Sequence, residues 1–133
     1  MQKIWAVVCV AGFTILTTGI HAQENAATPD YYSAKIRPVI EGHCAKCHLG
    51  ANHRGGLSLE TRASILQGGH HGPAIVTGDP AGSLLIKLIR QEAISEDQTP
   101  MPPPPREKLS DPEIALIENW IKAGAVVSSV SSK

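Results

Sequence analysis

Cys44-Ala45-Lys46-Cys47-His48 is the stretch on which the reading of this chain turns. On one helical turn, residues three and four apart share a face. Cys44 and Cys47 can therefore reach the same edge of one flat ligand, and His48 follows at once with an imidazole. The pattern Cys-x-x-Cys-His reads as a c-type haem attachment site. In that reading Cys44 and Cys47 form thioethers with the porphyrin, and His48 is the proximal ligand to iron.

The same residues admit two other chemistries. Zinc takes four ligands from cysteine and histidine, and the chain has no second Cys pair. A zinc site would need His48 and another histidine from His43, His53, His70 or His71. A thioredoxin-like redox pair needs a βαβ context, which is missing from the pattern of this sequence. Haem is the reading that the rest of the chain supports.

Of the 133 residues, 1–22 read as a secretory signal. Lys3 gives a positive start, Ile4 to Ile20 is an apolar run, and Ala22 closes it with a small residue. The run is short for a membrane span of about 20 residues, so a cleaved signal is expected, with an uncleaved anchor as the alternative. Cys9 leaves with the signal, and both remaining cysteines lie in the motif. Thioether formation would keep them from pairing as a disulfide in an oxidising compartment. An exported, periplasmic protein is expected.

The chain carries 12 basic and 12 acidic residues, and loss of Lys3 with the signal leaves it one unit negative. Nothing in that balance points to nucleic acid or, after cleavage, to specific membrane binding. Aromatic residues are scarce: Tyr31, Tyr32 and Trp120 remain beyond the signal. Aromatic side chains usually dominate core energetics, so a covalently held porphyrin is expected to fill the centre.

Residues 23–29 read as a disordered lead-in, 30–125 as the folded domain and 126–133 as a flexible tail. Tyr32, Ile36, Val39 and Ile40 recur near a spacing of 3.6, which predicts a helix leading to the motif. Pro38 should kink or split it. A loop follows over 50–56, then a short helix over 60–67 stopped by Gly68-Gly69, then a loop over 70–78. Asp79-Pro80 reads as a helix start, with Leu84, Leu85, Leu88 and Ile89 on one buried face. Ser110-Asp111-Pro112-Glu113 reads as a capping box. It opens a last helix that carries Ile114, Ile117, Trp120 and Ile121 on one stripe and stops at Gly124. The prediction is a small all-α domain.

Met101 is the second chemical feature. It is the one methionine beyond the signal, set between Pro100 and the run Pro102-Pro103-Pro104-Pro105. Its neighbours restrict it to extended conformations, which suits a thioether sulfur held as the distal ligand to iron. His70-His71, in a glycine-flanked loop, are the rival distal ligands. Arg54, Arg62 and Arg90 are candidate partners for the haem propionates.

Several stretches together are similar to the planctomycete-type cytochrome c domain, of the class I cytochrome c-like group. They are Ile36-Arg37-Pro38-Val39-Ile40 before the motif, Gly55-Gly56-Leu57, Gly72-Pro73-Ala74-Ile75-Val76, Gly78-Asp79-Pro80 and Ser83-Leu84-Leu85-Ile86. Met101-Pro102-Pro103 and residues 117–124 complete the set, so the resemblance spans about residues 31–124. It implies a small class I cytochrome c-like helical domain enclosing one covalently attached haem c. Cys44 and Cys47 would bind the haem, and His48 and Met101 would bind its iron. It also implies that the first and last helices cross near Trp120, and that the Pro73 carbonyl takes the free ring N–H of His48. Leu49, His70-His71 and Thr77 depart from the family pattern.

The expected function is that of a monohaem electron carrier, not an enzyme, meeting redox proteins through an exposed haem edge. The alternatives are a peroxidase-like haem enzyme with an open or His-ligated distal site, and a zinc-binding interaction module.

Overall fold

The computed structural model describes residues 24–92 and 95–128; the signal segment 1–22, Cys9 included, lies outside them. The chain enters at α1 (Pro29–Tyr31), whose N-cap Thr28 accepts from the Tyr31 N–H at 3.2 Å. A π-helical turn (Tyr32–Ile36) and α2 (Arg37–His43) follow without a break. The regular α-helix is interrupted just before Pro38, as expected, although the helical path continues through it. Pro38 has no N–H to give to the preceding turn, and the helix absorbs the loss by widening: the Arg37 N–H reaches back five residues to the Tyr32 carbonyl. The helical path therefore reaches Cys44, and α3 (Ala45–His48) starts at once.

After the motif, a single 3₁₀ turn spans Arg54–Gly56. Helix α4 (Arg62–Gln67) begins two residues later than the pattern predicts, because Thr61 and Ser64 form a capping box there. Gly68, at φ +77°, ends it. A Cβ on Gly68 would run into the Gly72 carbonyl and Pro73, so the turn from 68 to 72 closes only around a glycine.

The largest departure from the sequence reading is at Asp79-Pro80. These residues open a turn, and α5 (Leu84–Arg90) begins only at its N-cap, Ser83. The Asp79 carboxylate caps the Gly82 N–H at 3.0 Å. The buried Ser83 hydroxyl donates to the Asp79 carbonyl at 2.8 Å and accepts from the Val76 N–H at 2.9 Å. That knot holds Ser83 extended, at φ −78° and ψ 123°, so the helix cannot reach back to Pro80. The apolar residues of α5 also divide between two surroundings. Ile86 and Ile89 enter the core, while Leu84, Leu85 and Leu88 are half-buried.

Helix α6 (Asp111–Lys122) forms as the sequence predicts, with Ile114, Ile117, Trp120 and Ile121 buried. Glu113 accepts from the Ser110 N–H at 2.8 Å and from its hydroxyl at 2.6 Å. α6 packs against α5 and against the π-helical turn of the first helix. At that second crossing the Tyr32 and Trp120 rings lie 5.7 Å apart, tilted by 39°. The crossing expected of the first and last helices is thus built on an aromatic pair. The Trp120 indole N–H donates to the Val126 carbonyl at 2.7 Å, and the Ser128 hydroxyl to the Pro29 carbonyl at 2.7 Å. Residues 126–128, assigned to the tail from sequence, thereby bond back to the domain. The described residues are helices, turns and two isolated bridges, Gly69 to Gly72 and Val76 to Asp79, so the fold is all-α.

Two tests follow from these caps and turns. Hydrogen bonds from Ser110, and then His43, pull the Glu113 carboxyl down from 4.5 to about 2. A depressed carboxylate stabilises the fold fully above its unfolded value and loses that contribution as pH falls through the folded one. Glu113→Gln should therefore cost about 1 kcal/mol at pH 7. In denaturant titrations the gap to the parent protein should narrow between pH 4.5 and 2. Gly68→Ala should cost roughly 1–3 kcal/mol, being strained in both φ and contact. Gly50→Ala, also at positive φ but with nothing near its Cβ, should cost less.

Candidate haem site

The motif sits on one turn of backbone. The Cys44 N–H donates to the Ile40 carbonyl at 2.8 Å, and the Cys44 carbonyl accepts from Cys47 at 3.1 Å and from His48 at 3.0 Å. Both cysteines are free and half-buried. Burial pushes the Cys44 thiol up to about 11, against the opposing pull of the Arg106 charge. A redox-active dithiol wants a depressed pKa and an exposed sulfur, and Cys44 has the reverse. Among the described residues no three of His, Cys, Asp and Glu gather as a metal-binding cluster. Tetrahedral zinc therefore finds no ligand set around His48.

His48 is buried at 9% exposure. Its Nδ1 lies 3.2 Å from the Leu57 carbonyl, and its own carbonyl accepts from the Leu59 N–H at 2.9 Å. The strand-like stretch 57–59 thus runs back along α3 and fixes the ring. This corrects the expectation for Pro73, which is exposed and lies against Gly68. A carbonyl accepts only a proton, so Nδ1 carries the N–H and Nε2 keeps its lone pair.

The motif lines a cleft that opens to solvent at its mouth and has about 110 Å³ of internal space. Leu57, Leu84, Leu85, Leu88, Ile89 and Leu109 give it apolar walls. The half-buried face of α5 is thereby accounted for: it is cleft wall. Met101 lines the same cleft. It has the one backbone N–H between Pro100 and Pro105, and that N–H donates to the Leu88 carbonyl at 3.0 Å. The Met101 loop is thus moored to the end of α5, so the structure brings Cys44, Cys47, His48 and Met101 to one cavity.

The histidines around it are held in different ways. His70 and His71 line the mouth and are exposed. The His70 ring packs on Gly56, where a Cβ would approach to 2.8 Å, and the His70 backbone N–H donates to the Gly55 carbonyl at 2.8 Å. His71 pairs with Asp97 at 3.5 Å. His43 borders the cleft but hydrogen-bonds Glu113 at 3.0 Å. Of the three arginines proposed from sequence, Arg54 alone lines the cleft. Arg62 donates to the Gly124 and Ala125 carbonyls, both at 3.1 Å, just beyond the end of α6. Arg90 pairs with Glu118 at 2.7 Å. Arg106, which sequence reasoning passed over, lines the cleft instead.

These features fit a haem: two unpaired thiols one turn apart, an imidazole with a free Nε2, apolar walls and a thioether in the same cavity. Comparison with known proteins gives one family, Planctomycete cytochrome C, whose model matches residues 44–105. The match starts at the first motif cysteine and ends with the proline run after Met101, inside the span 31–124 of the resemblance read from the motifs. No curated protein and no solved structure matches the chain. The family implies a covalently bound haem c. With its helical architecture, its Cys-x-x-Cys-His turn and this match, the chain carries a planctomycete-type cytochrome c domain.

Proposed function

We propose that the chain is a monohaem c-type cytochrome that carries single electrons, with His48 and Met101 as axial ligands. One observation carries the reading: the Leu57 carbonyl engages Nδ1 of His48 and leaves Nε2 for a metal. Bound haem supplies a one-electron iron couple. Cys44 and Cys47 anchor it covalently, and the leucines of α5 with Leu57 and Leu109 keep water from its faces.

The choice of Met101 over His70 or His71 rests on what each is doing. Met101 has its backbone moored to α5 and its side chain half-buried in the core. His70 is packed on Gly56, and His71 is paired with Asp97. A peroxidase-like enzyme would want one of these two free to serve as a distal acid or base. Met/His ligation raises the potential relative to two nitrogen ligands.

The protein is exported and works in the periplasm, with the signal of residues 1–22 removed or kept as an anchor. No helix among the described residues is long and apolar enough to cross a membrane. Its partners are redox proteins that meet the open edge of the cleft. Weak redox encounters of this kind bury less than about 1,200 Å².

Absorption spectroscopy of protein matured with haem-attachment machinery tests the assignment. Sharp α and β bands on reduction, and a weak Met-to-iron band at the red end of the ferric spectrum, are expected. Met101→Ala should abolish that weak band, while His70→Ala and His71→Ala leave it. A high-spin ferric spectrum in the parent protein would move the reading to an open-site enzyme. Absence of a Soret band would remove haem altogether.

A further inference from the structure

Two charges in the cleft have no protein partner. Of the residues that line it, Arg54 and Arg106 are the ones with a permanent charge, and no carboxylate lines it. The other arginines of the described domain are occupied. Arg37 pairs with Glu41 at 2.7 Å, Arg90 with Glu118, and Arg62 with the end of α6. Arg54 and Arg106 make no side-chain hydrogen bond and no ion pair among the described residues.

Their backbones are fixed. Arg54 opens the 3₁₀ turn Arg54–Gly56, whose Gly55 carbonyl is tied to His70. The Arg106 N–H donates to the Pro103 carbonyl at 3.1 Å, which closes the turn after Met101. One arginine is therefore carried by the segment that orients His48, the other by the loop that holds Met101. The Arg106 charge is felt as far inside as the Cys44 thiol.

Two guanidinium groups at the rim of an apolar cleft call for an anionic ligand. A guanidinium matches a carboxylate in a two-pronged geometry that lysine cannot reproduce. Haem brings two propionate carboxylates on an otherwise apolar disc. We infer that Arg54 and Arg106 hold the haem propionates at the mouth of the cleft and keep them ionised. This rests on the haem reading above and replaces Arg62 and Arg90 with Arg106 in the set considered from sequence.

The consequence is electrostatic. A cation near the iron disfavours the ferric state, so removing one lowers the midpoint potential. An arginine also keeps a propionate ionised. Without it the propionate protonates at a higher pH, and the potential then falls as pH rises through that titration.

Spectroelectrochemical titration between pH 5 and 9 tests this on the haem-loaded Arg54→Gln and Arg106→Gln variants and on the double variant. Each single change should lower the midpoint and alter its pH dependence relative to the parent protein. The double variant should show the larger effect. Arg54→Lys and Arg106→Lys, which keep the charge, should restore most of the midpoint and provide the comparison if a glutamine variant folds poorly. Unchanged potentials and pH profiles in variants that load haem would overturn the inference and leave the cytochrome reading standing. In that case a change confined to the salt dependence of electron exchange with ferricyanide would place both arginines on the partner-facing rim. Failure of the parent protein to acquire a Soret band would instead sink the cytochrome reading itself.

Discussion

A single backbone carbonyl governs the site. The Leu57 carbonyl accepts a hydrogen bond from Nδ1–H of His48, and two residues later the Leu59 N–H donates to the His48 carbonyl. The two bonds clamp a buried imidazole between its own helix and the segment that follows the Gly55-Gly56 turn. The tautomer is decided by this contact, and so is the nitrogen left for a metal. Without it the ring would be a buried polar group with neither nitrogen matched, which costs free energy. The geometry of the turn before Leu57 therefore matters more than its exposed position implies. Gly55 and Gly56 lie at φ +65° and +73°, in a region few other residues enter without strain.

The second element of the site is fixed independently. Four of the five residues after Pro100 are prolines with no amide hydrogen, so Met101 has the only backbone donor of the run. Its acceptor, the Leu88 carbonyl, also receives the Gln91 N–H at 3.2 Å. The end of α5 thus caps itself and moors the loop with the same oxygen. Burial of Ile86 and Ile89 holds α5 to the core. Position along the helix then determines where the methionine stands.

The parts of the fold that sequence reveals are those written in side chains. Helix α6 is legible because a capping box, a proline at its start and a four-residue apolar stripe agree with one another. The motif is legible because its chemistry needs cysteine and histidine at fixed spacing. What sequence hides is written in backbone. Asp79-Pro80 carries the signature of a helix start, yet the same residues serve a turn, and the buried Ser83 hydroxyl decides between them. Pro38 marks an interruption of the first helix without dictating its form, which is a π-helical turn. The acceptor for His48 is misread as Pro73 for a like reason: any residue offers a carbonyl. Arg62, Arg90 and Arg106 differ only in what the tertiary fold sets beside them.

Both segments proposed to bear the ligands trace back to one packing arrangement. His48 follows the first helical run, whose Tyr32 stacks near Trp120 of α6. Met101 hangs from α5, which packs on the same α6. The separation between the two segments is therefore set by how α6 meets its neighbours, through Ile114, Ile117, Trp120 and Ile121, all no more than 3% exposed. Close-packed interiors resist small displacements and respond to them as a unit. An electron carrier profits from that stiffness, because a site that keeps its shape loses little energy to rearrangement when charge arrives or leaves. In this domain the rigidity is supplied by a helix that contributes no ligand. Arg62 of α4 ties down the turn that follows it, through the Gly124 and Ala125 carbonyls.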